Sequence, residues 1–220
     1  MKIQDFSKLY GALFILSIVV ILRPGKPALE IMSQPILPFS LLAFYLHRGS
    51  YQNIPAKSLV NLALGLLLIS FLGLALFPQK AILLYTLWAC VHLLLGVYYV
   101  SVLRRPIAAP VLGTAFVVII VGWIYALFFY SGSTALDYTQ VLFLLALSFH
   151  GFTGLLIMLR MRGWRKLLAL GLIFWLLADG VSLLYPEWEQ QEMAKSLLYG
   201  GRALAIYGTV LTSLLWAETV

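Results

Sequence analysis

Charge is what this chain has least of. Only 10% of its 220 residues are Asp, Glu, Lys or Arg, while 62% are hydrophobic. A soluble domain carries charge at about a quarter of its positions. No soluble shape of this size hides so much apolar side chain, so the composition excludes an ordinary water-soluble fold. Lipid in place of water around the outer face removes the difficulty. Cysteine is nearly missing as well. Cys90 is the only one and lies inside an apolar run, which excludes an internal disulfide and a cysteine-based metal cluster.

Several chemical signatures are also absent. The chain contains no GxSxG, no phosphate-binding P-loop, no GxGxxG, no CxxC and no HExxH. Nothing in it therefore points to a nucleophile elbow, a nucleotide cradle, a dithiol centre or a zinc protease. Low-complexity segments and clear internal repeats are lacking. The apolar–polar alternation of a membrane barrel is lacking too, since Leu62–Ile69 is continuously apolar.

What is present is a succession of apolar runs at 6–22, 35–47, 58–77, 81–103, 108–130, 139–159, 166–185 and 196–217. A helix needs ~20 residues to cross ~30 Å of hydrocarbon. The first run is short and the second, Pro35 to His47, is shortest; the other six reach or approach that length. The expected fold is all-α, a single transmembrane domain over residues 1–220 with about eight helices. Pro35 and Pro38 suit a first helical turn, where a missing N–H costs little. Residues 6–22 follow Lys2 and Lys8 like a signal peptide, but Arg23-Pro24-Gly25-Lys26 replaces a small-residue cleavage site. This run is expected to be a retained helix.

The net charge of +7 would suggest nucleic acid in a soluble protein. Here the basic residues sit in short loops, so they report topology and no nucleic-acid partner is expected. With the N-terminus inside, the inner segments hold ten Lys and Arg residues: Lys2, Lys8, Arg48, Lys57, Arg104, Arg105, Arg160, Arg162, Arg165 and Lys166. The outer loops hold four: Arg23, Lys26, Lys80 and Lys195. The bias places both termini in the cytoplasm. It puts the loop bearing Glu187, Glu189 and Glu192 outside, with Tyr185 and Trp188 at the headgroups. Glu30, beside Lys26, reads as interfacial.

Ionisable side chains inside a membrane are costly, so they are paired or functional. Asp179 and Arg202 lie on consecutive antiparallel runs, each roughly 10 Å from the outer boundary at 1.5 Å per residue. One reading is an ion pair that locks the last two helices together. The other makes Asp179 a catalytic acid or base, which requires Arg202 to point elsewhere, for example at a lipid phosphate. His92 and His150 fall near mid-membrane, where hydrogen bonding between helices is the usual role. One Asp and two His on three helices, without a close ligand spacing, make a poor metal signal, and no metal or organic cofactor is expected. Gly200-Gly201 and Gly208 suit close helix packing.

Leu68–Ser101, LISFLGLALFPQKAILLYTLWACVHLLLGVYYVS, resembles the third and fourth helices of the YhhN family of lysoplasmalogenase-like membrane proteins. Ser70, Gly73, His92 and Tyr98 fit that family's frame. Ser33–Pro38 resembles its Lys-Pro-Leu segment, with Gln34 in place of Lys. Leu172–Leu184 resembles its Phe-x-x-Ser-Asp helix, which puts Asp179 on the second family aspartate and Ala178 in place of Ser. Tyr199–Gly208 resembles its final Tyr-Ala-x-Gln helix, with Arg202 at the Gln. The first family aspartate is replaced by Leu74.

The resemblance implies hydrolysis of the vinyl-ether bond of a lyso ether phospholipid to a fatty aldehyde and a glycerophospho-base. Asp179 and His92 are then the catalytic candidates. Arg202, Tyr199 and His150 are the substrate-binding ones, with Arg202 on the phosphate. The expected location is a bacterial inner (plasma) membrane, and the expected partner a membrane lipid. The alternative, which Leu74 favours, is a relative without catalysis that binds a single-chain lipid or acts as a membrane assembly partner. A small transporter ranks last, because few polar residues are available to line a path.

Overall fold

The computed structural model describes residues 2–23, 33–49, 56–76, 81–102, 117, 138–160, 172–180 and 192–217. The regular structure among them is entirely helical: α1 (Ile3–Ile21), α2 (Ile36–Gly49), α3 (Lys57–Leu76), α4 (Ala81–Val102), α5 (Tyr138–Arg160), α6 (172–180) and α7 (Glu192–Ala217). The expectation of an all-α chain holds. Apart from Val117, the apolar run at 108–130 lies outside the described residues. So do Glu30, Tyr185, Glu187, Trp188 and Glu189, as well as Lys26, Lys80, Arg104, Arg105, Arg162, Arg165 and Lys166.

Among the described residues, three helices are long and apolar enough to cross a membrane: Ile3–Ile21, Leu83–Val102 and Tyr138–Ile157. Ile36–Arg48 and Lys57–Gly73 are shorter apolar helices. Their outward faces carry Ile15, Leu16, Phe39, Leu62, Ile69 and Val97, all exposed. So many large aliphatic groups on one surface are stable in lipid and unstable in water. The chain is a helical membrane protein.

Local sequence sets the helix ends. In α2 the carbonyl of Pro35 accepts from the N–H of Phe39 at 3.0 Å, so the proline opens the helix as its chemistry requires. His47 and Arg48 close it, where positive charge meets the negative end of the helix dipole. Ala56 precedes α3 with φ of 51°, in the left-handed region that a Cβ disfavours.

The helices pack through aromatic and small residues. α4 lies between α3 and α5, α2 packs on α3, and α7 meets α1 and α2. Phe6 of α1 stacks on Phe44 of α2 at 3.8 Å, and Tyr10 on Tyr207 of α7 at 4.6 Å. The Tyr10 hydroxyl donates to the Ala203 carbonyl at 2.9 Å. A Cβ on Gly96 would lie 2.5 Å from the Phe149 ring and 3.5 Å from the His150 Cα, so a side chain there would hold α5 off α4. A Cβ on Gly201 would lie 3.0 Å from Phe174 Cβ and 3.2 Å from its carbonyl carbon, which fixes the approach of α7 to α6. Leu176 and Leu172 fill the space left by Gly151 and Gly154. These contacts set the four helices that meet at the polar centre.

Candidate functional site

Four ionisable side chains from four helices meet in one buried line. Arg202 of α7 donates through Nε to Asp179 Oδ1. His92 of α4 reaches the other carboxylate oxygen, Nε2 to Oδ2, at 2.9 Å. His92 Nδ1 lies 2.7 Å from Nδ1 of His150 on α5. Asp179 and His92 are each 1% exposed and His150 is fully buried. Arg202 is 11% exposed, and its guanidinium sits 4.5 Å from the Trp88 ring centroid.

The proton positions follow from the donors and acceptors. The guanidinium is always charged and only donates, so Asp179 opposite it is a carboxylate and only accepts. His92 Nε2 must then carry a proton to bond Oδ2. With one proton on its ring, Nδ1 of His92 is a bare acceptor. For a neutral His92 the short contact places the proton on His150 Nδ1 and leaves His150 Nε2 bare; for a doubly protonated His92 the donation runs the other way. His150 Nε2 is buried and, among the described residues, has no hydrogen-bond partner. An unsatisfied buried acceptor costs about 1–3 kcal/mol, and a stable core has no need of one at this position.

Aromatic rings enclose the two imidazoles. Trp175 lies 5.0 Å from His92 and 5.3 Å from His150, the second contact edge-on at 86°. Tyr99 stacks on His150 at 5.4 Å, and its hydroxyl shares a 2.6 Å bond with Thr209. Phe143 meets His92 at 5.6 Å. Rings at these distances stabilise a cation that forms between them.

A small cavity of about 10 Å3, room for about one water, is lined by Trp88, His92, Trp175, Asp179 and Arg202 together with Leu67, Phe71 and Val91. A second cavity of about 10 Å3 shares Leu67, Val91 and Trp175 with it and continues past Val60, Leu64 and Val210. The polar end and the apolar arm thus adjoin between α3, α4, α6 and α7.

Of the five expected site residues, the structure brings together Asp179, His92, His150 and Arg202. Tyr199, one turn before Arg202, turns away. Its hydroxyl donates to the Gln34 carbonyl at 3.2 Å, and its ring meets Phe71. A free Asp179 carboxyl with Arg202 directed elsewhere is not what forms: Arg202 is on Asp179, because neither charge has a better partner in that depth of apolar side chains. Ser70 bonds its own helix at Leu66, and Tyr98 is buried away from the cluster. The side chain of Leu74 lies outside the described residues. Sequence reasoning missed Trp88 and Trp175. Each stands four residues before a cluster member, His92 and Asp179 respectively, which is one helical turn and was available as a signal.

Comparison with protein-family models, with curated proteins and with solved structures matches this chain to none of them.

Proposed function

We propose that this is an eight-span protein of the YhhN type, with both termini cytoplasmic in a bacterial inner membrane. We further propose that its Arg202–Asp179–His92 centre hydrolyses the vinyl-ether bond of a lyso ether phospholipid. The observation that carries the reading is the buried carboxylate–imidazole pair lining a small cavity that adjoins a second one lined mostly by apolar side chains.

A vinyl ether hydrolyses by protonation at carbon. The resulting oxocarbenium ion captures water, and the hemiacetal collapses to an aldehyde and an alcohol. His92 backed by the Asp179 carboxylate supplies the proton, since the carboxyl group beside Arg202 does not hold one. The carboxylate then faces the cation that forms, where fixed negative charge lowers the barrier. In this reading Arg202, the most exposed member of the cluster at 11%, holds the phosphate. Asp179 thus serves as the cation stabiliser and His92 as the acid.

A specific observation favours the second reading, lipid binding without turnover. Both oxygens of Asp179 and both nitrogens of His92 are already engaged inside the cluster. Purified protein in detergent, given a lysoplasmalogen and the matching saturated alkyl ether, separates the two. Aldehyde released from the vinyl ether alone supports the hydrolase. Saturable binding of both lipids with no aldehyde supports the binding protein.

A further inference from the structure

We propose that His150 turns the cluster into a one-proton relay, in which a proton taken up at His150 Nε2 emerges in the His92–Asp179 bond that faces the pocket. Its use in turnover rests on the hydrolase reading; the proton binding itself does not.

The geometry sets the direction. In the neutral cluster the protons sit on His92 Nε2 and His150 Nδ1, and the vacant basic nitrogen is His150 Nε2, a buried atom without a hydrogen-bond partner among the described residues. A proton added there lets the Nδ1–H bond of His150 break while an N–H bond forms at His92 Nδ1, 2.7 Å away. His150 ends neutral with its proton on Nε2. His92 becomes the imidazolium, with both nitrogens protonated and Nε2 still donating to Asp179 at 2.9 Å. The positive charge has moved next to the carboxylate. Trp175 lies about as near the His92 ring, at 5.0 Å, as the His150 ring, at 5.3 Å, so it is the carboxylate that favours the move. The opposite direction is closed, because His92 Nε2 is already protonated and Asp179 is held as a carboxylate by Arg202.

The groups facing His150 are His92 and Tyr99 from α4 and Trp175 from α6, with Asp179 and Arg202 behind His92 from α6 and α7. The Tyr99 hydroxyl is turned to Thr209. Asp179 and Arg202 cancel in charge, so among the described residues the cluster has room for one added positive charge at most.

Hydrolysis then needs no exchange with solvent at the buried end. The proton between His92 Nε2 and Asp179 Oδ2 forms the new C–H bond, using the electron pair of the C=C bond. The ether oxygen shares a lone pair to give the oxocarbenium ion. Water adds to that carbon and its surplus proton returns to His92 Nε2, now bare. The hemiacetal C–O bond breaks with its hydroxyl proton passing to the departing oxygen. One stored proton is lent and recovered in each turnover, with His92 passing between its doubly protonated and Nδ1–H forms while His150 keeps its proton on Nε2.

The test is 15N NMR of histidine-labelled full-length protein in detergent micelles, without lipid, over about pH 5 to 8, where histidine ordinarily titrates. Only three histidines contribute, and His47→Gln removes the third signal. The relay predicts one proton taken up jointly, with the signals of both rings moving at one midpoint and a coupling between the two Nδ1 nuclei. His150→Phe should leave His92 in its Nε2–H form throughout. In an active enzyme it should lower kcat by about 10²–10⁴-fold, with KM little changed and the acid side of the pH profile flattened. Two separate midpoints, no uptake by either ring, or a titration of His92 unaffected by His150→Phe would each overturn the relay. Should that variant not fold, the wild-type titration decides alone. Joint uptake without aldehyde release counts against the hydrolase and leaves the relay standing. Aldehyde release without joint uptake does the reverse.

Discussion

Arg202 and Asp179 meet across α7 and α6, 23 residues apart in the chain. The two side chains are 11% and 1% exposed, so each compensates the other's charge where water does not. Removing one partner of such a pair leaves an uncompensated buried charge and costs about 3–5 kcal/mol. Asp179→Asn and Arg202→Gln are each expected to lower the thermal midpoint in detergent sharply. The double variant is expected to lose less than the sum of the two, as a double-mutant cycle of unfolding would register. Additive losses would mean that the two side chains do not act as a pair.

Gly201 sits beside Arg202 and sets how closely α7 approaches α6. A methyl group there would press on the Cβ and the backbone of Phe174, which cannot swing aside as a side-chain tip can. Gly201→Ala is therefore expected to destabilise by about 1–3 kcal/mol, as overpacking does, and to weaken the Arg202–Asp179 contact. Gly11→Ala is the control. Among the described residues nothing lies within 4 Å of its Cβ position, and relief of glycine's helix penalty should gain up to about 1 kcal/mol. Equal effects of the two changes would argue against this helix approach.

Away from the cluster, Ser213 of α7 joins Tyr45 of α2 at 2.6 Å and also bonds Tyr98 of α4. Ser213→Ala removes the shared partner of two buried hydroxyls. It should cost about 1–3 kcal/mol, whereas Tyr45→Phe should cost about 0.5–1.5 kcal/mol, since it takes away a hydroxyl together with its need for a partner. Denaturation in detergent checks the order of the two. Tyr45→Phe as the larger loss would contradict the shared-partner arrangement.

Much of this was legible in the residues. Continuous apolar runs cannot satisfy their backbone in lipid except as helices, so α1, α4 and α5 were readable from hydropathy alone. Asp179 and Arg202 were readable as partners because equal distances from one loop put them at equal depth. The His92–His150 contact was not. It depends on Gly96 letting α5 come close, and a glycine in an apolar run does not say which neighbour uses the space. Tyr199 misled for a related reason. Residues three apart share a helix face, but the hydroxyl reaches the Gln34 carbonyl past the cluster.

The count of basic residues carries a topological expectation. Reporter fusions should show a fluorescent protein folding at both the N- and the C-terminus and alkaline phosphatase inactive at both, as cytoplasmic ends require. An active phosphatase at either end would change the number of spans or reverse the orientation.

The most direct test of the central claim is aldehyde release from a lysoplasmalogen by purified wild-type protein, beside Asp179→Asn and His92→Gln variants shown to be folded. The account predicts release by the wild type and a loss of at least about 100-fold in each variant, the scale of a missing proton donor or fixed charge. Wild-type release that survives Asp179→Asn unchanged would contradict it.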